Sequence, residues 1–206
     1  MNPRKTQFER KSKETEIKVE LNIDGDGKSK IKTPIGILDH MLELFTFHGF
    51  FDLNLEVKGD THVDIHHTNE DIGIVLGKAF KQALGEMKGI KRFGSAFAPM
   101  EDTLGHSVID LSGRGHLKIN LHGSQVPTLV KDAESGYNFQ HFEHFLDSFA
   151  KQLGANLIVT IQNPNSSTDF HTVMETVFKS LGMALDQATQ IDPRRKGIPS
   201  TKGIID

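Results

Sequence analysis

The stretch His66-His67-Thr68-Asn69-Glu70-Asp71 places two imidazoles and two carboxylates within six residues. Residues four apart on a helix differ by roughly 40° around its axis. If a helix starts here, His66 and Glu70 share one face and His67 is also a neighbour of Glu70. Imidazole and carboxylate side by side on a rigid element are ligands for a borderline divalent metal. A second set, His171-Thr172-Val173-Met174-Glu175, has the same His-x-x-x-Glu spacing. The chain carries 11 histidines beside a single tyrosine, no tryptophan and no cysteine. Thiolate sites and disulfides are therefore excluded, and any metal site must use imidazoles and carboxylates. Mn²⁺, Fe²⁺ and Zn²⁺ are the candidates.

The elements that would position these groups follow from periodicity. Residues 1–13 are polar and basic and read as a mobile arm, without the apolar stretch of a secretory signal. Residues 16–23 (EIKVELNI) alternate apolar and polar, which predicts a half-buried strand. The turn cluster Asp24-Gly25-Asp26-Gly27 then predicts a returning strand over 28–33. Residues 37–47 have helical apolar spacing, with Gly49 as the C-cap. Residues 51–57 alternate again, and a helix is expected from about His66 to Met87. One unit is thus β-β-α-β-α. The order recurs: residues 116–121 echo the first strand, 139–153 form a helix, 156–161 a strand, and 170–190 a second long helix.

The recurrence is also residue by residue. His40 matches His144 and Leu53 matches Leu157 at an offset of 104. At an offset of 105, His66 matches His171, Glu70 matches Glu175, and Leu76-Gly77 matches Leu181-Gly182. This is an internal duplication, and it carries the His…His-x-x-x-Glu set with the core pattern. His40, His66, His67, Glu70, His144, His171 and Glu175 are accordingly the expected metal ligands. Asp64 and Asp71 are expected to accept the remaining imidazole N–H groups. His141, one turn before His144, competes with it for the ligand position. The other histidines lack a partner in the repeat.

The C-terminal stretch Asp192-Pro193-Arg194-Arg195-Lys196-Gly197-Ile198-Pro199-Ser200-Thr201-Lys202-Gly203 offers hydroxyls, a lysine and backbone N–H groups for a phosphate. Arg92 and Arg114, both in glycine-punctuated contexts, can add guanidinium groups. The formal charge of −3 is mixed along the chain, which argues against nucleic acid, and no apolar run is long enough for a bilayer. The cysteine-free composition is compatible with the cytoplasm.

Together these blocks resemble imidazoleglycerol-phosphate dehydratase of histidine biosynthesis over nearly the whole chain. The matching stretches are Lys13-Glu14-Thr15, Leu38-Asp39-His40-Met41-Leu42, Gly59-Asp60 leading into the paired histidines, and Arg92-Phe93-Gly94-Ser95. Asp110-Leu111-Ser112-Gly113-Arg114, Glu143-His144-Phe145 and the Asp192 to Gly203 stretch complete the series. The resemblance implies an α/β fold of two duplicated units, each a four-stranded sheet backed by helices, like domain 2 of ribosomal protein S5. It implies a single domain over 1–206, with pseudo-repeats at about 14–92 and 104–191 and a substrate-binding tail at 192–206. It implies a homo-oligomer of 24 subunits with active sites between subunits, and two Mn²⁺ per site.

By position, the family's substrate contacts fall on Glu14, His40, Arg92, Arg114, Ser200, Thr201 and Lys202. Glu14, Glu70 and Glu175 are the implied catalytic carboxylates, Glu14 as acid/base. The implied reaction is dehydration of imidazole glycerol phosphate to imidazole acetol phosphate through a metal-bound imidazolate. Thr172 stands where the family has a second histidine, so one metal is expected to have one protein ligand fewer. Two other readings use the same residues: a weakened homologue acting as a metal-binding or assembly protein, and a metal-assisted phosphate-ester hydrolase.

Overall fold

The computed structural model describes residues 4–122, 136–162 and 169–205; positions 1–3 of the N-terminal arm and Asp206 of the tail lie outside them. The first unit runs β1 (Lys5–Lys11), β2 (Thr15–Asn22), β3 (Ser29–Lys32), α1 (Gly36–His48), β4 (Asp52–Gly59) and α2 (Ile65–Leu84). The second runs β5 (Phe93–Met100), β6 (Thr103–Asp110), β7 (His116–His122), α3 (Phe139–Leu153), β8 (Asn156–Gln162) and α4 (Phe170–Thr189). Each unit builds one four-stranded sheet, ordered β1-β2-β4-β3 and β5-β6-β8-β7.

The observed unit is therefore β-β-β-α-β-α, one strand longer than the apolar pattern predicts. Most of the supposed mobile arm is β1, antiparallel to β2 with Lys5 opposite Asn22. Its pattern is weak because its inward face is Thr6, Phe8 and Arg10, of which only Phe8 is apolar, and backbone pairing supplies the rest. The strand over 28–33 does not return on β2; β3 lies parallel to β4 at the far edge of the sheet. Likewise β7 is parallel to β8, so it is the counterpart of β3 rather than of the first strand. The first three strands repeat at an offset of 88: Lys5 and Asn22 pair as Phe93 and Asp110 do. The periodicity passes over β5 because its inward residues, Gly94, Ala96 and Ala98, are small. They are small because α4 lies against them; a Cβ on Gly94 would overlap the Ala184 carbonyl.

Within each sheet the inward residues (Ile17, Val19, Leu21, Leu53, Leu55 and Val57 in the first) are buried. The helical faces of the two units meet, α2 on α3 and α1 on α4, leaving the sheets outermost. Glycines at the contacts, Gly73 and Gly77 on α2 and Gly182 on α4, make this crossing possible. A Cβ on Gly77 would lie 2.5 Å from the Phe149 carbonyl oxygen, and one on Gly182 would strike the Phe45 carbonyl in the same way. Phe45, Phe51, Phe80 and Phe149 fill the centre with edge-to-face contacts such as Phe51 to Phe80 at 4.9 Å and 80°. At the end of α1, Gly49 is the C-cap in right-handed geometry, and Phe50 takes the positive φ of 55°. Glycine is needed at position 49 because a Cβ there would enter the Phe51 ring. Among the described residues no helix is long and apolar enough to cross a membrane.

Candidate metal centres

α2 begins where Asp64 accepts the amide of His66, at 2.9 Å, and α4 where Asp169 accepts that of His171, at 3.2 Å. These N-caps fix the first helical turn, which carries the histidine of each His-x-x-x-Glu pair, with the glutamate one turn on. Because α2 crosses α3 and α4 crosses α1, each pair meets the histidine of the other repeat. One cluster is His40 (α1) with His171 and Glu175 (α4); the other is His144 (α3) with His66 and Glu70 (α2). In each, the ligand atoms all lie within 4.8 Å of one another.

In the first cluster, Glu175 Oε1 is 3.3 Å from His40 Nε2 and 3.0 Å from His171 Nε2. The two rings stack at 5.3 Å and 23°. Lys179, one helical turn on, donates to Oε2 of the same carboxylate. Burial pushes Glu175 up, but the hydrogen bonds and charges of Lys179, His40 and His171 outweigh it, so its pKa lies below the usual carboxylate value. In the second cluster, Glu70 is 3.9 Å from both His66 Nε2 and His144 Nε2, too far for hydrogen bonds. The rings stack at 4.3 Å and 16°. Ligand atoms bound at roughly 2.1 Å to one ion lie roughly 3–4 Å apart. Both donor sets, two imidazoles and a carboxylate at such separations, fit a divalent metal. The second cluster borders a cleft lined by Leu117, Gln140, Glu143 and Asp147.

His67 belongs to neither cluster. Its Nδ1 lies 3.2 Å from Asp60 Oδ2. The hydrogen bond to Asp60 raises its pKa against a small desolvation, helped by the charges of Glu14, Asp60 and Asp64. Its counterpart Thr172 is buried. Glu14 ends the β1–β2 turn on the same side, its carbonyl accepting the Asp60 amide at 3.2 Å. The expected role of the flanking aspartates is corrected. Asp64 spends its carboxylate on the helix cap, and Asp71 accepts from Thr15 and Arg10, not from an imidazole. His141 closes a capping box with Asn138, so His144 alone carries the α3 imidazole into the cluster.

Arg92 has a φ of 75°, held by hydrogen bonds from its amide to the Ala188 carbonyl and to its carbonyl from the Leu111 amide. Its guanidinium grips Asp110 at 2.6 and 3.1 Å and donates to the Pro199 carbonyl at 2.9 Å. It thus clips the tail beside Ser200 and uses three of its five N–H donors. Ser200 turns the tail, its Oγ accepting the Lys202 amide at 3.2 Å, while Thr201, Lys202 and Arg114 are exposed. Among the described residues, no hydrogen bond or ion pair joins these phosphate candidates to either cluster.

Residues 33–185 match the family model for imidazoleglycerol-phosphate dehydratase. The chain is 46% identical over 202 residues to the imidazoleglycerol-phosphate dehydratase of Bacillus pumilus, covering 98% of this chain and 100% of that protein. The chain belongs to the imidazoleglycerol-phosphate dehydratase family. As a member of that family it is a carbon–oxygen lyase, a hydro-lyase. The Bacillus subtilis dehydratase is 48% identical over the same length, with the same coverage. Among solved structures, the dehydratase of Pyrococcus furiosus, in complex with (S)-C348, superposes with a TM-score of 0.77 at 36% identity, over 96% of this chain and 99% of that one. That of Staphylococcus aureus gives 0.76 at 29% identity, over 91% and 99%. The family's duplicated fold is thus the fold observed.

Sequence reasoning passes over Lys179, although its i+4 spacing from Glu175 puts both on one helix face. It also passes over Asp60 as the partner of His67, because a loop contact leaves no periodic signal.

Proposed function

We propose that this chain catalyses the manganese-dependent dehydration of imidazole glycerol phosphate to imidazole acetol phosphate in histidine biosynthesis. The observation that carries this reading is the pair of matched His₂Glu clusters, each assembled from both repeats. His40, His171 and Glu175 would hold one ion, and His66, Glu70 and His144 the other. Bound there, divalent ions would supply Lewis acidity toward an imidazole ring and a substrate hydroxyl.

The hydrogen removed is not acidic by itself, since no carbonyl lies beside it, so the chain must place a base against it. Glu14 is that base: its carboxylate takes the proton from carbon and passes it to the departing hydroxyl, which leaves as water, so that Glu14 ends ionised as it began. The enol then becomes the ketone. Lys179 holds Glu175 ionised and so keeps it a ligand rather than a competing acid. Arg92, Arg114, Ser200, Thr201 and Lys202 bind the phosphate, remote from the reacting carbons, and thereby position them.

His67 and Glu14 lie together beside Asp60, outside both clusters of their own chain. This supports active sites between subunits, His67 completing a neighbour's centre, within an assembly of up to 24 copies. The outer sheet faces support self-association as well. Lys5, Glu9 and Asn54 of the first sheet have Phe93, Phe97 and Ile158 as their counterparts, all exposed. The cysteine-free composition suits a cytoplasmic enzyme.

Manganese-loaded protein incubated with imidazole glycerol phosphate tests the reading. Imidazole acetol phosphate should form and its formation should stop on chelation. Inorganic phosphate as the product would favour the hydrolase, and no turnover with both ions bound would favour the weakened homologue.

A further inference from the structure

The duplication supplies an internal comparison for a buried ionic contact that neither metal centre uses. Asp71 follows Glu70 on α2 and is buried. One of its carboxylate oxygens, Oδ2, accepts from the Thr15 hydroxyl and pairs with the Arg10 guanidinium. Arg10 also reaches Thr15 Oγ1, at 3.3 Å. Arg10 and Thr15 flank the turn Ser12-Lys13-Glu14, which is itself tightly bonded. The Ser12 hydroxyl accepts the amides of Glu14 and Thr15 at 3.1 and 3.0 Å, and the Ser12 amide donates to the Thr15 carbonyl at 2.9 Å. The second repeat builds the equivalent strand pair against the equivalent helix, α4, without the ionic pair. Ala98 stands for Arg10, Thr103 for Thr15, and Thr176 for Asp71, with the Thr176 hydroxyl bonded to its own helix at the Val173 carbonyl. The fold therefore does not require the latch. It is present only in the repeat whose turn carries Glu14.

We propose that Asp71, with Arg10, is a positioning device that locks the Glu14 turn onto the metal-bearing helix α2. It rests on the role given to Glu14 above. A carboxylate on a two-stranded turn would otherwise wander with that turn. Bonding both flanks to one buried oxygen on α2 ties its position to the helical turn of His66, His67 and Glu70. Misplacement of a reacting group by about 1 Å can cost on the order of 100-fold in rate.

The test is a double-mutant cycle on the assembled, manganese-loaded enzyme. Arg10→Met should lower kcat about tenfold with little change in KM, leave metal content unaltered, and be rescued in part by Arg10→Lys. In a Glu14→Gln background, Arg10→Met should lower kcat no further. An equal loss in both backgrounds, or no loss in the parent, overturns the proposal. Amide exchange at residues 12–15 gives a reading independent of turnover: it should quicken in Arg10→Met and Asp71→Asn and stay unchanged at β6. If Glu14→Gln leaves kcat untouched, the role of Glu14 fails. The latch is then judged by exchange alone, and unaltered protection at 12–15 overturns it.

Discussion

Glu70 and Glu175 occupy equivalent positions of the two repeats, yet only Glu175 has a lysine one turn on; Ile74 holds that place after Glu70. The consequence is a pH prediction. Glu175 is held below its ordinary value of 4.5, so the free energy its charge contributes is present above that pH and lost as pH falls through the lowered value. In Lys179→Met the burial remains and the cation is gone, so the carboxylate pKa rises. The pH at which metal leaves the protein should move up, read by metal analysis after dialysis across pH. Thr172 is the other asymmetry. Thr172→His should tighten metal retention by about tenfold, equal to about 1.4 kcal/mol; unchanged affinity would show that position 172 faces no metal. At this scale the sequence is informative because repeat offsets single out the six residues that the fold gathers into the two His₂Glu clusters. It is silent on Asp60 and Arg10, whose contacts join segments far apart in the chain.

The helices matter as crossings more than as individual amphipathic rods. Gly77 and Gly182 let α2 meet α3 and α4 meet α1, and those crossings bring His144 to Glu70 and His40 to Glu175. Gly77→Ala forces a methyl against the Phe149 carbonyl, where backbone must move. It should destabilise by about 1–3 kcal/mol despite the better helix propensity of alanine. Thermal unfolding measures this, and an increase in Tm would contradict the crossing. The four helices and strands β2, β4 and β8 are legible from apolar periodicity. β1, β5 and β6 are not, since their pattern is set by the surface they touch: a single large apolar residue inward in β1, only glycine and alanine against α4 in β5, and Thr103, Gly105, Ser107 and Ile109 inward in β6. The direction of β3 is invisible too, since alternation reports a strand's faces but not its neighbour.

On the scale of the molecule, two sheets of identical topology turn different faces outward. The first is charged; the second shows Phe93, Phe97 and Ile158, with His106 stacked on Phe97 at 3.8 Å and 9°. Exposed aromatic area of this kind is what the proposed self-association would cover. Phe97→Glu should shift the assembly to smaller species in light scattering, while the circular dichroism spectrum is retained. In the proposed function one chain folds two metal centres, each made from both repeats. Metal content per chain, measured by elemental analysis of the parent and of His40→Ala, His144→Ala and the double variant, tests it most directly. The parent should hold two ions, each single variant one and the double variant none. One ion in the parent, or two retained in either single variant, would contradict it.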